Sequence, residues 1–247
     1  MIDQIGSKNF FQIYITDNDS LEMPPLISNC VSHVKFWATD HAHFIFSGAN
    51  IRDAISLNLS ADVLRAYDSL RPYAYKADLG RLCLLYLYGG WYMDISCKLA
   101  RQLPDVKSFS HVVFCPPFGI GHSAWDLQNS MIYARRGSKV LELAIQMIVN
   151  NCNNKYYGVN ALCPTGPTLL GSAFAAHGMD AEIMICQYTP LTPNYQKKNY
   201  GFILNTGEII AWGKETGGTD MGNGLFAYGA EGTNSYAALY NSREIYI

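Results

Sequence analysis

The sequence predicts a single α/β domain spanning residues 1–247, built on a mixed, mostly parallel central sheet flanked by helices. Three observations predict it. Short apolar runs of strand type alternate with longer stretches of helical periodicity along the chain. The composition, 49% hydrophobic and 15% charged over 247 residues, suits one large folded core. Residues 76–96 read as a buried helix that stops at a glycine pair and turns at once into a strand.

In that stretch Leu79, Leu82, Cys83, Tyr86 and Leu87 recur at helical spacing, and Asp78 and Arg81 lie one turn apart on an otherwise apolar cylinder. Gly89 and Gly90 end the helix, because glycine tolerates the left-handed conformation common at helix ends. Beyond them, period-two alternation sends Trp91, Met93 and Ile95 to one side and Tyr92, Asp94 and Ser96 to the other. An aromatic ring, a carboxylate and a hydroxyl therefore share a face. Two apolar elements that bring charges toward one place are costly unless those charges meet each other, a metal or a ligand. The pattern suits a binding site; it equally suits a purely structural Asp78/Arg81 pair beside an Asp94 that merely ends a strand.

The other elements are read in order. Residues 10–16 form a first buried strand, left by a loop over 17–20 and Pro24-Pro25. Residues 34–38 and 43–46 read as short strands. His41 and His43 alternate about Ala42 with no third ligand near them, which favours surface or core roles over a metal. Residues 51–75 turn helical, with Ser60 or Asp62 as caps and Pro72 as a break. A polar connection over 98–107 leads to a central strand at 111–115, and an amphipathic helix covers 140–149. Thr165 is placed to cap the helix 168–176, with Pro167 in its first turn and Gly178 just past its end. Residues 181–187 read as a strand and 202–212 as a hairpin about Asn205-Thr206-Gly207. The glycine-rich residues 213–232 are expected to be a mobile loop or lid. The apolar pattern resumes over 234–240 and 245–246, so the C-terminus should dock.

Several function classes are excluded. A net charge of −2 with a pI near 6.3 gives no electrostatic footprint for nucleic acid, and no lysine or arginine run marks a membrane anchor. Seven cysteines without a Cys-x-x-Cys pair suggest neither a zinc site nor a disulfide framework. The N-terminal residues lack the basic flank and apolar run of a secretory signal, and the most apolar segment, 82–93, falls short of the roughly 20 residues that span a bilayer. A cytoplasmic protein without a transmembrane segment is expected; peripheral membrane association through a partner stays compatible. No Gly-x-Gly-x-x-Gly follows the first strand, which argues against a Rossmann oxidoreductase.

The run Asp78-x-x-Arg81, apolar helix, Gly89-Gly90-x-Tyr92-x-Asp94, with an oxygen-bearing side chain at Ser96, resembles the donor site of glycosyltransferase family 32. That family holds yeast-type mannosyltransferases and bacterial capsule and lipopolysaccharide sugar transferases, and is similar to the glucosylating domains of clostridial toxins. Its usual Asp-x-Asp is here Asp94-Ile95-Ser96. The resemblance runs along most of the chain in order and is most specific over 78–94. It implies a GT-A-like fold and a retaining transfer of a hexosyl unit from a nucleotide diphosphate sugar, expected to be a UDP-sugar. The implied acceptor is a saccharide or lipid-linked saccharide of bacterial surface polysaccharide synthesis.

The resemblance also implies roles. Asp94, Asp78 and Arg81 are the implied catalytic group, with Asp94 as the metal ligand. Tyr14, Tyr92, Ser96 and Asn129 would bind donor, together with Glu231, Asn234, Ser235 and Tyr236 from a closing C-terminal segment. The implied cofactor is Mn²⁺ or Mg²⁺, weakly held or dispensable, since the Ser96 hydroxyl is a poorer ligand for a hard cation than a carboxylate. Two rival readings stand beside this one: a nucleotide-sugar hydrolase with the same donor site, and a catalytically silent carbohydrate-binding module.

Overall fold

The computed structural model describes residues 8–116, 123–191, 200–213 and 224–247. The chain opens with β1 (Asn9–Ile13), α1 (Pro25–Trp37), β2 (Ala42–Phe46), α2 (Gly48–Asn58), α3 (Ala61–Ser69) and α4 (Tyr73–Tyr88). It continues through β3 (Gly90–Met93), β4 (Lys98–Leu99), β5 (His111–Cys115), β6 (Gln128–Ala134), α5 (Lys139–Asn153) and α6 (Pro167–His177). It ends with β7 (Ile183–Pro190), β8 (Tyr200–Ile203), β9 (Ile209–Trp212), a 3-10 helix (Gly224–Tyr228) and α7 (Tyr236–Asn241).

The strands form one mixed sheet in the order β2-β1-β3-β6-β5-β7-β8-β9-β4. One face packs on α2 to α6 through Phe11, Ile13, Leu82, Ile132, Ile145 and Phe174. The other buries Phe10, Trp91, Met93, Phe114 and Phe202. A small third cluster joins Tyr14, Ile27, Val31, Ile95, Tyr228 and Ala230 near the end of β1.

Two expectations need correction. The sheet is mixed but not mostly parallel: β1 pairs parallel with β2 and β3, and β5 with β7, while β3–β6, β5–β6, β7–β8, β8–β9 and β4–β9 are antiparallel. The reason is connection length: β8 and β9 are joined by the tight turn at Gly207, and a parallel crossover needs a dozen residues or more. Residues 34–38 are not a strand but mainly the end of α1. There Ile27, Val31 and Val34 are buried at helical spacing and Pro25 sits in the first turn, where its missing N–H costs nothing.

The glycine pair behaves as expected and decides the geometry of β3. Gly89 and Gly90 have φ of 66° and 115°, and a Cβ on Gly90 would lie 2.5 Å from the carbonyl oxygen of Asn9. Only glycine lets β3 turn straight out of α4 and lie beside β1. The expected loop at 213–232 falls partly outside the described residues, at 214–223; in 224–232 a 3-10 helix forms and Tyr228 and Ala230 are buried, while most of the other residues are exposed.

Candidate functional site

β1 has β2 on one side and β3 on the other, so connections leave it in opposite directions and a crevice opens beyond the carboxyl ends of these strands. A cleft occupies that place. Its floor is Ile13 and Ile15 from the end of β1 and Tyr92, Asp94, Ile95 and Ser96 from the end of β3. One wall is α4, through Tyr73, Ala77 and Arg81 at helical spacing of four. The C-terminal segment makes the other, with Leu225, Thr233, Asn234 and Tyr236.

Arg81 is the hub. Its Nη2 lies 3.1 Å from Asp78 Oδ1 and its Nη1 lies 3.1 Å from Asp94 Oδ1. It also donates to the Asn129 carbonyl (2.6 Å) and to the Ala77 carbonyl (3.1 Å), and its guanidinium lies 4.6 Å from the centre of the Tyr92 ring. The Tyr92 hydroxyl in turn donates to Asp94 Oδ1 at 2.8 Å. Asp78 is held from three further directions of the fold: by Arg81 on its own helix, by Asn129 Nδ2 from β6 (2.8 Å) and by the Thr165 hydroxyl before α6 (2.8 Å).

The residues are buried, Asp78 at 8% and Arg81 at 4% exposure, so each charge depends on its partners. Burial pushes the Asp78 carboxyl above the ordinary range, against Arg81 and the Thr165 and Asn129 donors, which favour the ionised form. Burial also works against the Arg81 cation, but Tyr92, Asp94 and Asp78 outweigh it and the guanidinium stays charged. Burial raises the Tyr92 phenol well above its usual value, which keeps it a donor to Asp94.

The structure sorts the expected residues into groups. Arg81, Tyr92, Asp94, Ser96, Asn234 and Tyr236 line the cleft. Asp78 and Asn129 stand behind Arg81 and reach the cleft only through it. Asn129 lies inside β6. The Tyr14 ring is in the third core cluster and off the cleft wall. Glu231 sits on an exposed loop, and Ser235 caps α7 by accepting from the Ala238 N–H at 3.2 Å. The Asn234 amide accepts from the Tyr73 N–H (2.9 Å) and donates to the Arg71 carbonyl (3.0 Å), so it clamps the start of α4.

Sequence reasoning missed Tyr73 and Thr165. Tyr73 precedes Ala77 and Arg81 by four and eight residues, a spacing that would have placed it on the Arg81 face; its hydroxyl donates to Asp17. Thr165 is not the cap of α6, whose N-cap is Gly166, and nothing local signals its bond to a residue 87 positions earlier. His43 bonds Gln12 at 2.9 Å and His41 bonds Asp40 at 2.7 Å. Among the described residues no group of three or more His, Cys, Asp or Glu side chains is placed to hold a metal ion. At this place the cleft lining carries the Asp94 carboxylate and Ser96, the oxygen-bearing residues of the expected metal position.

The fold and cleft together define a mixed α/β domain with a charged, aromatic-lined cleft at its strand ends. Residues 12–113, which include α4, β3 and Asp94, match the family described as "Glycosyltransferase sugar-binding region containing DXD motif". That stretch is similar to the sugar-binding region of glycosyltransferases. The chain is similar to an uncharacterized glycosyltransferase of Acanthamoeba polyphaga mimivirus, 29% identical over 101 residues that make up 38% of this chain and 37% of that protein. The matched segment therefore spans a little over a third of that relative. Among solved structures it is similar in fold to "PaToxG Glycosyltransferase", with a TM-score of 0.51, 16% identity and 69% of each chain covered. Among the described residues no helix is long and apolar enough to cross a membrane.

Proposed function

We propose that this domain, residues 1–247, is a glycosyltransferase of the family 32 kind that moves a hexosyl unit from a nucleotide diphosphate sugar, with a UDP-sugar as the donor, to a saccharide hydroxyl with retention of configuration. The observation that carries this reading is the placement of Arg81 between Asp78 and Asp94 on the wall of the cleft, within the segment that matches the sugar-binding family. Cleavage of the glycosidic bond leaves negative charge on the departing diphosphate, and a cation fixed in advance stabilises that charge more than it stabilises the intact donor. Arg81 is such a cation, fixed in advance by its partners. Asp94 and Tyr92 would orient the donor's sugar and ribose hydroxyls, and Tyr236 would close on it from the C-terminal segment. A divalent cation, when bound between Asp94 and the diphosphate, would offset further charge on the leaving group. No residue is assigned as a base. The acceptor is a free or lipid-linked saccharide, in the manner of bacterial surface polysaccharide synthesis.

The test is a screen of nucleotide sugars with and without saccharide acceptors, reading products and the anomeric configuration of the new bond. Glycoside formation with retained configuration supports the reading. Release of free sugar that no acceptor diverts would make the protein a nucleotide-sugar hydrolase. No turnover together with no calorimetric binding of UDP, with or without Mn²⁺, would overturn the donor site itself.

A further inference from the structure

The segment between α5 and α6, residues 154–166, has no regular structure, yet three tyrosine hydroxyls reach its backbone from outside. Tyr75 donates to the Ala161 carbonyl at 2.6 Å, Tyr240 to the Gly158 carbonyl at 3.3 Å, and Tyr246 to the Tyr156 carbonyl. Asn151 holds the Pro164 carbonyl at 2.9 Å, and the Gly166 N–H donates back to Leu162. The segment folds tightly on itself: Gly158 has φ of 66°, and a Cβ there would lie 2.3 Å from the Cβ of Cys163. A loop tied at so many carbonyls is a rigid mount. It ends at Thr165, 2% exposed, whose hydroxyl donates to Asp78 Oδ2.

That bond falls on the Asp78 oxygen that faces neither Arg81 nor Asn129. Both of those meet Oδ1, at 3.1 and 2.8 Å. With donors on both oxygens the carboxylate cannot rotate about its axis, so Oδ1 stays aimed at Arg81. The guanidinium is planar and its hydrogen-bond fork is rigid. With Nη2 on Asp78 and Nε on the Ala77 carbonyl, the plane of the guanidinium is set, and Nη1 is directed at the Asn129 carbonyl and at Asp94 on the cleft side. We infer that Thr165 is a positioning residue: through Asp78 it fixes the orientation in which Arg81 faces the donor. Its link to turnover rests on the function proposed above, while its effect on Arg81 does not.

The experiment compares Thr165→Val, which keeps the shape and removes the hydroxyl, with Thr165→Ser, which keeps the hydroxyl. The first readout is the Arg81 Nε–Hε correlation in a ¹⁵N NMR spectrum of the full chain, identified by its loss in Arg81→Lys. Thr165→Val should shift and broaden that signal, and Thr165→Ser should leave it sharp. The second is kinetic: Thr165→Val should lower kcat about tenfold, the scale of one hydrogen bond to a charged group, with the donor KM within about twofold of wild type. Thr165→Ser should restore it. An unchanged Arg81 signal in folded Thr165→Val, or a Thr165→Ser variant as damaged as Thr165→Val, would overturn the inference. A responsive Arg81 signal in a protein that turns over no nucleotide sugar would sink the proposed function and leave the positioning of Arg81 standing.

Discussion

The Nη1 nitrogen of Arg81 lies 3.1 Å from the Oδ1 oxygen of Asp94. The carboxylate that the motif marks as the metal ligand thus already has a fixed cation at its side. A divalent ion approaching Asp94 meets that positive charge and finds a hydroxyl, not a second carboxylate, at Ser96. On the function proposed above, metal affinity should therefore be weak.

Transfer should therefore need Mn²⁺ or Mg²⁺ at higher concentration than in an Asp-x-Asp relative, and Ser96→Asp should lower the requirement. Asp94→Asn should cost at least ~10²-fold in turnover, the scale of losing one group that stabilises transition-state charge. The measurement is rate against metal concentration for the three proteins. Full wild-type activity in excess chelator would remove the metal from the reading.

Removing either partner of the buried pair should destabilise the fold, but not equally. Arg81→Ala strands two carboxylates and should cost about 3–5 kcal/mol, the range for breaking a buried pair. Asp78→Ala leaves Arg81 its bond to Asp94 and should cost less. Chemical denaturation of both variants gives the order; an Asp78→Ala protein less stable than Arg81→Ala would contradict Arg81 as the hub.

The Asn234 amide is committed to the first turn of α4, where it accepts from an N–H that the helix itself leaves unpaired. Asn234→Ala should lower stability by about 1–2 kcal/mol, as for loss of a helix cap. Asn234→Asp should recover only part of it, because a carboxylate accepts the Tyr73 bond and suits the positive end of the helix but cannot donate to the Arg71 carbonyl. Thermal melting distinguishes the three; equal melting of wild type and Asn234→Ala would deny the clamp.

Stability should fall on mild acidification. Burial pushes both His43 and His111 down to about 4, and His111 sits between the hydroxyls of Ser110 and Ser138 at 2.9 and 2.6 Å. In the unfolded chain each takes up its proton near pH 6.5, so between about pH 6.5 and 4 the unfolded state binds more protons. The stabilisation is complete above that window and is lost as pH falls through it, on the order of 2–3 kcal/mol per histidine. The melting temperature of wild type should drop across the window, and His111→Gln should flatten the slope.

Much of the site was legible because its residues are local. Asp78 and Arg81 are a helical turn apart, and Tyr92, Asp94 and Ser96 follow a glycine pair that leaves the chain one way to go, so period and turn chemistry suffice to converge them. The helical spacing of Tyr73, Ala77 and Arg81 was equally present in the chain, but the reading assigned Tyr73 to the preceding helical stretch, 51–75, and so separated it from Arg81. The misreading of residues 34–38 was also local: five residues, four of them apolar or aromatic, fit either period, and the buried Ile27, Val31 and Val34 become a pattern only over two turns.

By itself, then, the sequence determined the α/β class, the helix-glycine-strand unit and the cluster of charge at its end, all consequences of residue spacing along one or two elements. Only the tertiary structure decided that Arg81 joins Asp78 to Asp94, and that Asn129 and Thr165 hold Asp78 from behind. It alone turned Tyr14 into the core and tied Asn234 to α4. The physical reason is the range of the interactions. Periodicity constrains neighbours within a few residues, whereas the partners of a buried charge are drawn from whatever elements packing brings within about 3 Å, here up to 87 positions along the chain.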